Sequence, residues 1–139
     1  MSLIDDIKRH EGFSPVTYIC PNGYETIGYG QRTKYLTCTK AQAEEWLIKE
    51  INDLQKRITS AFEWWFNSPE EVKDIVVELC YQMGLSGFSK FKKTIYLLET
   101  EQYEEASLEM LDSHWGRHQA RNRAHELSER LANVKRQPC

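Results

Sequence analysis

The sequence predicts an α+β fold that is mainly helical, with a short antiparallel sheet near the N-terminus. Three observations predict it. Residues 16–36 are rich in β-branched and aromatic side chains and are broken by turn residues. The segments on either side carry apolar residues at helical spacing. The connections between the later helical segments are short and no low-complexity tract interrupts them. A chain of 139 residues accommodates one domain with its own core. Within that domain a small N-terminal lobe of about residues 1–40 is expected, then a joining helix at about 40–58, then a larger all-α lobe over 60–139.

The elements follow in order. Leu3, Ile4 and Ile7 make residues 3–10 a short amphipathic helix, which Gly12 and Pro15 bring to an end. The runs VTYIC, YETIGYG and TKYLT read as two or three strands, turned at Pro21-Asn22-Gly23 and again at Gly28 and Gly30. Thr39 can cap a helix from about Lys40 to Arg57, whose period is set by Trp46, Leu47, Glu50, Ile51, Leu54 and Ile58. Ser68-Pro69-Glu70-Glu71 is a start signal: Ser68 at the N-cap, Pro69 at N1 and Glu71 at N3 compose a capping box. The helix behind it carries Val72, Ile75, Val76, Leu79, Cys80 and Met83, a set broad enough for burial at the domain centre, and Gly84 is expected to stop it. Further helices are expected at about Ser89–Glu99, Gln102–Leu111 and Arg121–Val134.

Composition narrows the function. The formal charge is -3: residues 1–112 hold 12 Lys+Arg against 19 Asp+Glu (-7), and residues 113–139 hold 6 against 2 (+4). An acidic body argues against nucleic acid, where affinity rests on neutralising phosphates. The basic C-terminal stretch is either a contact for an anionic polymer or a solvated helix face. No run approaches the roughly 18 apolar residues of a membrane span, so stable membrane insertion is not expected. The opening MSLIDDIKRHEGF has no apolar signal region, so the chain is expected to stay in the cytoplasm of the producing cell until released. The four cysteines, at 20, 38, 80 and 139, match no zinc or haem spacing, and the four histidines are scattered. No metal or cofactor is expected.

Glu11 closes the first predicted helix, where unsatisfied carbonyls disfavour a second negative charge. A carboxyl in that setting is suited to general acid work. His10 beside it points elsewhere on the helix and is given no role. Trp64-Trp65-Phe66 is read as core between the lobes rather than as a sugar-stacking platform.

The run Glu11-Gly12-Phe13, Tyr18, Cys20, Gly23 and Thr26-Ile27-Gly28-Tyr29-Gly30 resembles the phage-type lysozymes, glycoside hydrolase family 24, which include the T-even phage enzymes. Their signature sets a Glu, eight residues, an Asp or Cys, five residues and a Thr; Glu11, Cys20 and Thr26 stand at that spacing. Tyr81-Gln82-Met83-Gly84 with Phe88, then Ser113-His114-Trp115 and Asn122-Arg123-Ala124, resemble the family's later helices. The connection between Gly30 and Thr39 is shorter than the T-even one.

The resemblance implies a lysozyme-like fold and an endolysin. It would hydrolyse the β-1,4 bond between N-acetylmuramic acid and N-acetylglucosamine and so lyse the host cell. Glu11 would protonate the leaving oxygen, Thr26 would orient a water or sugar hydroxyl, and Cys20 would support the opposite side of the transition state. Gly30, Tyr81, Gln82, Phe88 and Arg123 would bind substrate or support the site. Arg123 would hold Glu11 or else be a surface arginine. Cys20 is a thiolate if a cation lowers its pKa, and a packing residue otherwise, which leaves the anomeric outcome open. Two other functions compete: a domain that binds peptidoglycan without cutting it, and a lytic transglycosylase. The implied partner is the glycan strand, met by a monomer that needs a holin-type pore to reach the wall.

Overall fold

In the computed structural model, residues 2–19, 25–32, 37–113 and 121–134 are described. They form a three-stranded antiparallel sheet and six α-helices, a mainly helical α+β arrangement of lysozyme-like type. The chain divides into two compact units, Met1–Leu54 and Gln55–Cys139.

In the first unit, α1 runs Leu3–Glu11. The Ser2 side chain caps it by accepting the Asp5 N–H at 3.1 Å. Asp5 and Asp6 lie in its first turn and Lys8, Arg9 and His10 in its last, each sign at the end of the helix dipole that favours it. Gly12, at φ +72°, ends it, and its N–H bonds back to the Lys8 carbonyl at 2.9 Å. The sheet follows in the order β1-β2-β3, with β1 at Ser14–Ile19, β2 at Glu25–Gly28 and β3 at Gln31–Arg32. Pro15 lies beyond the helix end, inside β1, and its carbonyl accepts the Cys38 N–H at 2.8 Å. The predicted turn at Pro21-Asn22-Gly23 lies outside the described residues.

Helix α2, Lys40–Ala61, begins on a reciprocal cap. Thr39 Oγ1 accepts the Gln42 N–H at 3.1 Å, and Gln42 Oε1 accepts the Thr39 N–H at 3.0 Å. Its stripe Ala43, Leu47, Ile51, Leu54 and Ile58 is buried. The helix runs four residues past the expected end because nothing after Arg57 breaks it.

The second unit contains α3 (Glu70–Ser89), α4 (Lys92–Glu99), α5 (Tyr103–Asp112) and α6 (Arg121–Ala132). Helix α5 packs on α4 and α6, and α6 on α3. The core here includes Val72, Ile75, Val76, Leu79, Cys80, Phe88, Leu98, Met110, Leu127 and Leu131. One expectation about α3 needs correction. The capping box does not form: Pro69 takes an extended ψ of 147°, and the helix starts one residue late with no side-chain cap. Ser68 Oγ instead donates to the Trp64 carbonyl at 2.8 Å, and Glu71 pairs with Arg130. Gly84 breaks the helix as expected, at φ +80° and ψ 154°, and a second short helical segment follows directly to Ser89. Of the aromatic triplet, only Trp65 is buried; Phe66 is 63% exposed, beneath the Lys73 ammonium. Among the described residues, no helix is long and apolar enough to cross a membrane.

Candidate active site

Glu11 is the last residue of α1 and is half-buried. It faces the hairpin turn between β2 and β3. Residues Ile27 and Gln31 pair across that hairpin, so Gly28-Tyr29-Gly30 forms its loop. Gly30 takes φ +86°, a conformation that L side chains resist. A Cβ at Gly30 would stand 2.8 Å from Glu11 Oε1 and 3.5 Å from its carboxyl carbon. The missing side chain is therefore what lets the carboxyl rest on the turn.

Thr26 lies in the central strand, opposite Tyr18 of β1 and Arg32 of β3, and is only 4% exposed. The sheet thus carries Thr26 and Gly30 on the hairpin that Glu11 contacts. Cys20 lies outside the described residues.

Two further residues belong to this neighbourhood, and neither was among the expected site residues. Gln31 is buried, and its Oε1 accepts the Tyr29 N–H at 2.9 Å. Its side chain lies near the Glu50 carboxyl of α2. Partial desolvation pushes the Glu50 pKa up, the Gln31 side chain opposes that rise, and the negative charge of Glu11 adds to it. In the sequence Glu50 falls within the period that sets α2, but its residue is exposed rather than part of the buried stripe. On the other side of the turn, Lys8 is bound by Glu44 at 2.5 Å and lies 5.6 Å from the Tyr29 ring centre.

The remaining expected residues lie in the second unit. Phe88 is fully buried, edge-on to Phe62 at 5.7 Å and stacked with Phe91 at 6.5 Å. That placement excludes direct sugar contact in this conformation and leaves it a supporting role. Tyr81 and Gln82 are half-buried on α3 before the kink. The Gln82 Oε1 atom is buried and accepts no hydrogen bond among the described residues. Arg123 of α6 is buried rather than superficial; its partner within this unit is Glu78, at 3.7 Å and 1% exposed. Glu78 stands one turn before Gln82 on α3, among apolar neighbours that give its position no functional signal in the sequence. Burial raises the Cys80 thiol to about 12 despite Arg57, so it is inert at neutral pH. Burial also raises the Cys38 thiol. Among the described residues, no group of three or more His, Cys, Asp and Glu could hold a metal.

Among the described residues, helices that dominate the chain and a sheet near its N-terminus make a lysozyme-like fold, with one carboxyl set at a helix end above a glycine turn. Comparison with known families agrees: the phage lysozyme model matches residues 8–133, and the chain belongs to the phage lysozyme family. That family consists of glycoside hydrolases acting on peptidoglycan. No curated protein matches the chain individually.

Proposed function

We propose that the chain is a muramidase, cleaving the β-1,4 bond between N-acetylmuramic acid and N-acetylglucosamine, with Glu11 as general acid. The observation that carries this is the fit of the Glu11 carboxyl onto Gly30, which holds a proton donor at a helix end against a sheet of the same unit. Glu11 gives its proton to the glycosidic oxygen as the C–O bond breaks. Positive charge builds on the sugar ring, water adds its hydroxyl to the anomeric carbon, and the proton that this water releases passes to solvent, from which the Glu11 carboxylate is reprotonated. Thr26, nearly buried in the central strand, suits the fixing of a single water or hydroxyl. Cys20 supports the far side of the transition state on the strength of its position in the motif. The biological outcome is lysis of the producing cell, after a holin-type pore gives a monomeric enzyme access to the wall.

Glu11→Gln tests the assignment. It keeps the shape of the side chain and removes the proton. Lytic activity should fall at least a hundredfold, since general acid catalysis contributes roughly 10²–10⁴-fold, while the melting curve stays close to native. A folded variant with more than a tenth of native activity refutes the acid role. Mass analysis of the products distinguishes the chemistry, because hydrolysis adds one water per cut and a transglycosylase yields the anhydro sugar. Binding with no cut would leave a non-catalytic wall-binding domain.

A further inference from the structure

Helix α4 begins beside a cavity of about 300 Å³ in the second unit. Lys90, Lys92 and Lys93 line it, with Phe91, Thr94 and Glu109. Phe91 is the N-cap of α4 and supplies no side-chain cap, and the Ile95 N–H bonds back to its carbonyl at 2.9 Å. The N–H groups of Lys92, Lys93 and Thr94 therefore have no acceptor within the helix. No acidic side chain stands in this first turn. Two lysines stand there instead, at the end of the helix dipole that favours an anion. Lys93 reaches Glu109 at 3.4 Å, an exposed pair of the kind that contributes little. Lys90 and Lys92 make no ion pair among the described residues. Independently of the helix end, Thr94 is 2% exposed and lines the cavity, yet its hydroxyl has no hydrogen-bond partner among the described residues. Buried hydroxyls are ordinarily paired, and this one has only the cavity to turn to.

We propose that this cavity binds a phosphate group carried on an anionic polymer. The site is built from the second unit alone, whereas Glu11 belongs to the first, so it goes beyond the muramidase assignment and does not depend on it. The residue types select phosphate over carboxylate. A carboxylate is best met by the flat fork of an arginine, whereas lysine binds phosphate as a point charge. Among the described residues no arginine lines the cavity, and three lysines against one glutamate leave two positive charges unbalanced. That surplus suits a chain of repeated phosphates better than a single carboxylate. The tetrahedral oxygens of one phosphate can accept from a lysine, from the first-turn N–H groups and from the Thr94 hydroxyl together. A bilayer surface fits less well. Phe91, the one apolar lining residue among those described, is stacked with Phe88 at 6.5 Å, so the mouth offers no apolar side chain for insertion. Lysines at a helix N-terminus oppose the dipole in the free protein, and residues that break a local rule in this way cluster at functional sites.

The test uses the full chain and takes inorganic phosphate as its first probe. Titrated at constant ionic strength, phosphate should shift the amide NMR signals of Lys92, Lys93 and Thr94 saturably, while chloride in its place should not. A fluorescently labelled glycerol phosphate oligomer, followed by anisotropy, should then bind at the same residues and more tightly. Lys92→Ala should weaken oligomer binding on the order of tenfold, the loss of one charge-assisted hydrogen bond. Thr94→Val keeps the shape and removes the hydroxyl, and should weaken binding roughly threefold to fivefold. Thr94→Ser keeps the hydroxyl and should bind close to the native level, which a purely packing role would not predict. Lys49→Ala removes an equal charge from the exposed face of α2 and should leave binding native. Glu11→Gln should also bind as the native chain does, so loss of the acid assignment and loss of this site are read separately. Native affinity in Lys92→Ala, an equal loss in Lys49→Ala, or phosphate shifts that miss the first turn of α4 overturns the proposal. Binding to phosphatidylglycerol vesicles with none to the oligomer overturns it in favour of a membrane surface.

Discussion

A side chain at position 30 would have to occupy the space taken by the Glu11 carboxyl, and the backbone there already demands a left-handed conformation. Gly30→Ala therefore carries two costs. The strained φ is worth about 1–2 kcal/mol, and the methyl pushes the flexible end of Glu11 off the turn. The second cost is small in stability, because a side-chain tip can swing away, but large in rate, because the proton donor moves with it. The variant should remain folded by circular dichroism and lose lytic activity at least tenfold. Activity at the native level would show that the contact between residue 30 and the acid is incidental. The glycine was visible in the TIGYG motif. The reason for it was not, since the carboxyl that needs the space lies nineteen positions earlier in the chain.

Helix boundaries show where local chemistry suffices and where it does not. The Thr39 cap could be read from four consecutive residues, and it forms as a reciprocal pair with Gln42. The Ser68 cap had an equally good local pattern and does not form, because the Ser68 hydroxyl finds a nearer acceptor in the preceding turn and Glu71 finds Arg130 on α6. Tertiary partners outbid a local motif worth about 1 kcal/mol. The ion pair between α3 and α6 matters more. Arg123 and Glu78 are both buried, so Arg123→Ala removes the cation beside a carboxylate in the core, a loss of about 3–5 kcal/mol. Calorimetry should show Tm lowered by roughly 10 °C or more for a domain of this size. Arg123→Lys should recover only part of it, since an ammonium cannot reproduce the guanidinium fork. A Tm within a degree of native would make the pair dispensable.

At the scale of the whole molecule, Glu50 gives stability a defined pH dependence. Its folded pKa is raised, so its contribution is fully present below the unfolded value, near 4.5, and is lost as pH rises through the folded pKa. Glu50→Gln carries no such titration. The difference in Tm between variant and native chain should be small at pH 4 and should grow in favour of the variant by pH 7. A difference independent of pH, or one that grows in the opposite direction, contradicts the partial desolvation that raises this carboxyl. Because each melt compares the same chain at one pH, the titration of every other group cancels to first order.

The sequence by itself determined the class of fold, the order of the elements and the Glu11, Thr26 and Gly30 motif. Those features are written in short windows: apolar periodicity, turn residues and a fixed spacing around one helix end. Only the tertiary structure decided that Gln31 backs the glycine loop, that Arg123 answers Glu78, that Phe88 is core and that a second helical segment resumes directly after the break at Gly84. Each of these depends on which side chain, distant along the chain, arrives to satisfy a buried polar group or fill a space. Spacing along a sequence carries no record of that arrival, because a buried donor needs an acceptor of the right geometry and is indifferent to where in the chain it comes from.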